Sequence, residues 1–300
     1  MKNSRLKDLV NLNVSAEMTY KKKPSWLRMP SRGSEEAAKV RSILRKYSLD
    51  TVCRQAMCPN LGHCFGRGTA TFLILGSQCT RSCRYCAIEH SEGVLAEPDI
   101  NEPQRLAEAA AEMKLSYVIL TSVTRDDLPD GGAGHFARTV EAVRKMIPVA
   151  RIEVLTPDFR GSEEALKVIA DAGPDVFNHN LETVERLFPD VRPEAYYRLS
   201  LEVLESYGRL APSTPVKSGL MLGLGETESE IRSALEDLRK KGVTILTMGQ
   251  YLQPSRSHWP VDRYLTPDEF DAWRDEALSM GFVSVASAPL VRSSFHADEQ

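Results

Sequence analysis

Residues 70–86 read Ala70-Thr71-Phe72-Leu73-Ile74-Leu75-Gly76-Ser77-Gln78-Cys79-Thr80-Arg81-Ser82-Cys83-Arg84-Tyr85-Cys86. The first six residues are an apolar run of strand length, closed by a glycine. A polar loop with three cysteines follows directly. In α/β folds, sites collect beyond the C-terminal ends of parallel strands, so a strand that delivers such a loop is a functional unit as well as a structural one.

The same unit recurs along the chain. Strand-like apolar runs fall at 117–121, 151–155, 175–178, 216–222 and 243–248. Helical patterns separate them at 103–115, 135–146, 162–172, 194–210 and 228–241. A further helix fits 267–280, entered by Thr266-Pro267-Asp268-Glu269 with proline in its first turn. Strands that are apolar throughout and joined by helices pair in parallel under a helical cover. Six βα units predict a partial (βα)6 TIM-type barrel rather than a closed eight-fold one. The chain is expected to divide into an N-terminal extension (1–68), the barrel (69–252) and a closing C-terminal segment (253–300). A helix over 34–47, capped by Ser34, is expected in the extension. The later strands end in Thr121-Ser122-Val123-Thr124-Arg125-Asp126-Asp127, Thr156-Pro157-Asp158, Asn178-His179-Asn180 and Gly223-Leu224-Gly225-Glu226-Thr227.

The composition is that of an ordinary globular chain, with 42% hydrophobic and 26% charged residues and a net charge of −3. No apolar run approaches the roughly 18 residues of a membrane span. The N-terminus lacks the apolar core and cleavage site of a secretion signal, so a cytoplasmic location is expected. Residues 1–50 carry 12 Lys/Arg and 5 Asp/Glu, whereas the rest of the chain is acidic. This basic arm, with Lys21, Lys22, Lys23 and Arg28, reads either as a solvated tail or as a docking arm for an acidic macromolecule. The acidic body argues against nucleic acid as a partner.

All six cysteines lie between Cys53 and Cys86. They form Cys53-x4-Cys58-x5-Cys64 and Cys79-x3-Cys83-x2-Cys86. Cysteines serving only as small hydrophobes would scatter, and a disulfide framework belongs to small chains in oxidising compartments. Metal binding is left. Structural zinc wants four closed ligands, commonly as C-x2-C pairs, and only Cys83–Cys86 has that spacing. Two iron–sulfur cubanes with three thiolates each would use all six cysteines and leave one iron per cluster open to another ligand.

Cys-x3-Cys-x2-Cys with an aromatic before the last cysteine, after the first strand of a (βα)6 pattern, resembles the radical S-adenosylmethionine superfamily. The preceding Cys-x4-Cys-x5-Cys resembles the mark of the lipoyl synthases within it. TSVTRDDLPDGGAGHF (121–136), FNHNLETV (177–184), MLGLGET (221–227), QYLQPS (250–255) and PLVRSSFHADEQ (289–300) agree. One departure stands out, since the family's usual Arg-Ser-Ser-Tyr reads Arg292-Ser293-Ser294-Phe295 here.

The resemblance implies a 4Fe–4S cluster on Cys79, Cys83 and Cys86. Its fourth iron takes S-adenosylmethionine, which one electron cleaves to methionine and a 5′-deoxyadenosyl radical. It implies an auxiliary 4Fe–4S cluster on Cys53, Cys58 and Cys64, with a serine as fourth ligand; Ser294 is assigned and Ser293 is the runner-up. The implied reaction removes hydrogen atoms from carbons 6 and 8 of a protein-bound octanoyl chain and inserts two sulfides from the auxiliary cluster. Such C–H bonds offer no acidic proton, so general-base catalysis has no purchase on them. Octanoylated lipoyl domains of 2-oxoacid dehydrogenase acyltransferases or glycine-cleavage H protein are the implied carriers. A flavodoxin- or ferredoxin-like electron donor and iron–sulfur carrier proteins are the other implied partners. Tyr85 is read as packing on the cluster or the adenine, or as an ordinary core aromatic. Asn178, His179 and Asn180 are candidate cofactor contacts, though a satisfied core histidine is the plainer reading of His179. Asp126, Asp127 and Asp130 are read as an active-site loop or a solvated turn, and Arg292 as orienting the serine. Biotin synthases and methylthiotransferases share parts of this chemistry but lack the first triplet's spacing ahead of the radical motif. A non-catalytic zinc or iron–sulfur module has no use for six βα units that end in polar loops.

Overall fold

Each of the six apolar runs forms a strand, and each lies beside the next in parallel. The computed structural model describes residues 22–28, 35–55, 58, 60–66, 70–294 and 297. Ser34, the expected cap, and Lys21 of the basic arm lie outside them. A 3-10 turn (Ser25–Leu27), α1 (Glu35–Lys46), β1 (Asp50–Thr51), α2 (Val52–Gln55) and α3 (Leu61–Gly66) come first. The barrel begins with β2 (Thr71–Ile74), β3 (Gln78–Cys79), β4 (Glu89–His90), α4 (Glu102–Glu112), β5 (Tyr117–Ser122) and α5 (Ala133–Met146). It continues through β6 (Arg151–Leu155), α6 (Glu163–Ala172), β7 (Val176–Asn178), α7 (Phe188–Val191), α8 (Tyr197–Leu210), β8 (Val216–Leu222) and α9 (Glu228–Lys240). It ends with β9 (Ile245–Gln250), α10 (Pro267–Ser279) and β10 (Ser284–Ser287).

Two strands of the eight-stranded sheet, and the short pair β3 and β4 outside it, were not legible from hydrophobicity. β10 (Ser-Val-Ala-Ser) extends the parallel sheet beyond β9, and the two-residue β1 pairs antiparallel with β2 at the other edge. Both are short, and β10 carries two serines, so neither forms an apolar run. The sheet order β1-β2-β5-β6-β7-β8-β9-β10 leaves the two edges unjoined among the described residues. This is the open, partial barrel that the βα alternation implied. The expected strand 243–248 starts two residues late, at Ile245, because a turn at Gly242 (φ +81°) must end α9 before β9 can start.

Alternation along the strands assigns the two faces. Phe72, Ile74, Val118, Leu120, Ile152, Val154, Leu246 and Met248 join the apolar core beneath the helices. The intervening positions of the same sheet include Thr71, Glu153, Lys217, Gly219, Thr247 and Gly249, which are polar or small and line the inside. Deep in that interior, Lys217 Nζ pairs with Glu153 at 3.1 Å, and Tyr117 Oη donates to the same carboxylate at 2.8 Å. Both charged side chains are buried, so each depends on the other. Helix entries follow local chemistry. Thr227 with Glu230 and Thr266 with Glu269 form capping boxes, and Ser162 caps α6 through the Ala165 N–H.

Candidate functional site

The second triplet leaves β2 through a strained turn. Leu75 sits at φ +69° and Gly76 at φ +92°, a conformation that costs a leucine roughly 1–2 kcal/mol. Glu102 holds the Leu75 N–H at 3.0 Å and lies 2.6 Å from His135 Nε2. A Cβ on Gly132 would run into the Leu75 side chain, so the glycine makes room for this turn. Cys79 then pairs into β3, and its Sγ accepts from the N–H groups of Arg81 (3.4 Å) and Thr124 (3.3 Å). Cys86 N–H donates to the Cys83 carbonyl at 3.0 Å, which curls the two cysteines round one turn. From the other side of the barrel, Trp259 N–H reaches the Arg84 carbonyl (2.7 Å), and His258 Nε2 lies 3.0 Å from the Cys86 carbonyl.

Arg81 ties this loop to two neighbouring strand ends. Its guanidinium is buried and makes two bonds to Asp126 (2.7 and 3.0 Å) and two to Asp158 (2.6 and 2.7 Å). Burial alone would raise the Asp158 pKa, but the Arg81 bonds and charge outweigh it and hold the carboxyl down at about 2. Asp126 therefore belongs to the loop that grips the cysteines. Asp127 pairs with buried Arg125, and Asp130 accepts from the N–H groups of Gly132 and Gly134.

Of the first triplet, Cys53 lies on α2, Cys64 on α3 and Cys58 between them in the chain. Cys58 N–H donates to the Cys53 carbonyl (3.1 Å) and Cys64 N–H to the Asn60 carbonyl (2.9 Å). Asn60 Nδ2 reaches the Leu290 carbonyl at 2.6 Å, which fastens this turn to the C-terminal segment. Cys53 hydrogen-bonds with Thr71, and Thr71 Oγ1 donates to Ser294 Oγ at 2.8 Å. Arg292 stands beside Cys58, where its charge opposes the effect of burial on the thiol. The segment 288–294 therefore crosses the inside of the open barrel from β10 towards β2. Gly249 permits the crossing, because a Cβ there would strike the Val291 carbonyl oxygen.

Burial raises the pKa of Cys53 to about 11 and of Cys86 to about 12, and it raises Cys58 and Cys83 as well. Thiolates in these places need a cation to stabilise them, as a coordinating metal does. Among the described residues no three His, Cys, Asp or Glu side chains close round a single ion.

Glu182 occupies the ground between the triplets. It is held at φ +73° by backbone pairing with Gly219 and Met221 and accepts from Asn180 Nδ2 at 3.1 Å. Burial raises its pKa, opposed by the Arg192 charge and by hydrogen bonds from Asn180 and Tyr85. Arg192 also faces Cys83, and Arg292 contributes charge to both Glu182 and Cys58. One half-buried polar chain thus runs from one triplet to the other. Glu182, Arg192, Thr71 and Arg81 escaped the sequence reading as functional residues, since nothing local distinguishes them from ordinary polar positions.

The four expected cofactor contacts separate. Tyr85 and Asn180 meet at Glu182. Asn178 donates to Glu153 at 3.0 Å, while its Oδ1 is buried with no hydrogen-bond partner. His179 is set in the wall, with Nδ1 on the Thr156 carbonyl (2.9 Å) and Nε2 by Ser200 Oγ (3.1 Å). Burial and the Arg192 charge lower its pKa to about 4, so the ring is neutral. Ser122, Thr156 and Asn180 add further unpartnered buried oxygens near these strand ends. Phe295, the departure in the C-terminal motif, lies outside the described residues.

The chain is 55% identical to lipoyl synthase from Methylococcus capsulatus over 280 residues, covering 93% of this chain and 86% of that one. It is 52% identical to lipoyl synthase from Haemophilus influenzae over 292 residues, covering 96% and 90%. The chain belongs to the lipoyl synthase family. The radical SAM superfamily model matches residues 73–238, the span from β2 into α9. Membership makes it a radical S-adenosylmethionine enzyme of the sulfurtransferase class that uses 4Fe–4S clusters. The fold is shared more widely. Methylornithine synthase (PylB) superposes with a TM-score of 0.56 at 14% identity, covering 87% of this chain and 85% of that one. Streptococcus suis SuiB bound to S-adenosylmethionine gives 0.57 at 10% identity, covering 76% and 54%.

Proposed function

We propose that the protein inserts sulfur at carbons 6 and 8 of a protein-bound octanoyl-lysine chain to give the lipoyl group. The observation that carries this reading is the Thr71–Ser294 hydrogen bond beside Cys53, which joins the first triplet to the Arg-Ser-Ser motif. Cys79, Cys83 and Cys86 would hold the radical cluster, and Cys53, Cys58, Cys64 and Ser294 the auxiliary one. When bound, these clusters and S-adenosylmethionine supply the electron, the hydrogen-atom abstraction and the sulfur.

The chain's own part is positioning and exclusion. The N–H groups of Arg81 and Thr124 donate to Cys79 Sγ and so stabilise negative charge on it. The Arg81–Asp126–Asp158 fork keeps the cysteine loop from shifting against the strand ends. Tyr85, Asn178 and Asn180 would contact S-adenosylmethionine, with the unpartnered buried oxygens accepting from its hydroxyl or amino groups. His179 shapes the wall behind them. Ser294 offers oxygen, a poor match for iron in a soft sulfide cluster, and so a ligand able to leave.

Residues 1–68 act as the extension that carries the auxiliary cysteines, 69–252 as the catalytic part of the barrel, and 253–300 as the segment that adds β10 to its sheet and closes it. The carrier is an octanoylated lipoyl domain or glycine-cleavage H protein, met in the cytoplasm. A flavodoxin- or ferredoxin-like donor supplies electrons, and iron–sulfur carrier proteins rebuild the auxiliary cluster. Among the described residues no helix is long and apolar enough to cross a membrane. The test is to add an octanoyl-lysine peptide to reconstituted protein and quantify 5′-deoxyadenosine, 6,8-dithiooctanoyl product, iron and sulfide. Cofactor cleavage without sulfur in the peptide would overturn the reading.

A further inference from the structure

Two adjacent serines end the described C-terminal segment, and either could offer oxygen to an iron near Cys53. Their hydroxyls take different partners. Ser294 Oγ accepts from Thr71 Oγ1 at 2.8 Å on β2. Ser293 Oγ accepts from Asn180 Nδ2 at 2.6 Å, just beyond β7. We propose that Asn180 is the positioning residue that fixes which serine faces the first triplet: by pinning Ser293 it turns Ser294 towards Cys53. This rests on the auxiliary-cluster reading above.

Asn180 is built as a rigid post. Its carbonyl accepts from Arg192 at 3.2 Å. Two residues on, Glu182 pairs with the backbone of β8 through Gly219 and Met221. Its side-chain amide is set from two directions. Glu182 Oε1 accepts from Nδ2, and since a carboxylate only accepts, the nitrogen must face it. On the other side, a Cβ on Gly219 would lie 3.0 Å from Asn180 Oδ1, so the glycine leaves the amide its place. With the nitrogen turned to Glu182, its second N–H is free for Ser293. The C-terminal segment is the more lightly held partner. It is fastened by the Asn60–Leu290 bond and by Gln250 N–H on the Pro289 carbonyl (3.2 Å). Ser293 and Ser294 follow in a turn, where successive side chains diverge. Fixing one hydroxyl therefore fixes the heading of the other.

The experiment uses the full chain with both clusters rebuilt and S-adenosylmethionine saturating the radical cluster. Isotopically labelled cyanide is titrated, and its binding to the auxiliary cluster is read from the magnetic coupling in the reduced spectrum. Ser294→Ala should open the iron to cyanide. Asn180→Ala and Ser293→Ala should each tighten cyanide binding roughly fivefold, the weight of one neutral hydrogen bond. The double variant should match the single ones, because both remove the same contact. Wild-type cyanide affinity in Asn180→Ala, or additive effects in the double variant, would overturn the role of Asn180. Ser293→Ala is a small change that keeps the test valid if Asn180→Ala folds poorly. An auxiliary cluster equally closed to cyanide in Ser294→Ala would instead overturn the serine-ligand reading itself.

Discussion

Thr71 and Ser294 stand 223 positions apart in the chain, yet their hydroxyl oxygens meet at 2.8 Å beside Cys53. Thr71 opens the first barrel strand, and Ser294 lies at the end of a segment that has crossed the barrel from its last strand. The contact draws the N-terminal cysteines, the barrel and the C-terminus into one site.

The triplets should fail differently. Cys79→Ala, Cys83→Ala and Cys86→Ala should lower 5′-deoxyadenosine formation to background. Cys53→Ala, Cys58→Ala, Cys64→Ala and Ser294→Ala should still cleave S-adenosylmethionine yet form no lipoyl product. Chromatographic assay of both products from the same reaction checks this. Cofactor cleavage at the normal rate in Cys83→Ala would refute the assignment.

Gly249→Ala probes the crossing segment without touching a proposed ligand. Its methyl would collide with the Val291 carbonyl, and the backbone must yield. Overpacking of this kind costs about 1–3 kcal/mol. A displacement of an ångström at Ser294 should cut product formation by up to about 100-fold while cofactor cleavage largely persists. Loss of both activities together would show that the segment serves the whole fold and not the auxiliary site.

Acid should loosen the grip on the cysteine loop. The Asp158 pKa falls from 3.8 to about 2 on folding, so its contribution to stability is full above pH 4 and is lost as pH falls towards 2. The amount is about 2 kcal/mol. His179, buried neutral with a pKa of about 4, adds a second loss that begins earlier, between pH 6.5 and 4, as the unfolded ring gains a proton that the folded one refuses. Denaturant titrations at stepped pH should show both windows, and Asp158→Asn should remove the lower one. Asp158→Ala should cost about 3–5 kcal/mol by leaving the buried Arg81 guanidinium short of a partner.

The basic arm is testable against its plain alternative. Trp26 Nε1 donates to the Leu265 carbonyl at 3.2 Å and Leu27 is buried, which fastens residues 25–27 to the body and leaves Lys22 and Arg28 exposed. Changing Lys22, Lys23 and Arg28 together to Ala should raise the Michaelis constant for the carrier protein several-fold, on the order of 1 kcal/mol. The effect should shrink with salt, since the Debye length is only about 8 Å at physiological strength. A short octanoyl-lysine peptide should notice little. Equal losses on both substrates would mark the arm as a solvated segment.

Much of the site was legible because its chemistry is local. Cys79, Cys83 and Cys86 follow a strand directly, and only the spacing of neighbouring thiols is needed to propose a cluster there. The Thr266 helix start was equally plain, because its cap and first turn are complete within four residues. Glu182 and Arg192 were hidden for the opposite reason. A glutamate two residues after Asn180 looks like surface until β8 pairs with its backbone and leaves it half-buried. His179 shows the same limit, since only the positions of Thr156 and Ser200 reveal that both ring nitrogens are occupied.

What the sequence determined by itself was the parallel βα order and the two cysteine triplets, because period and spacing act over a few residues. What only the tertiary structure decided was where the ends of the chain go. β1 and β10 are too short and too polar to announce themselves and form only against strands already in place. The crossing that brings Ser294 to Cys53 depends on a glycine at 249 and an asparagine at 60, residues whose meaning lies in backbone 230 positions away in the case of Asn60 and Leu290. Such contacts form when the packed barrel brings the segments together, and no local pattern encodes them.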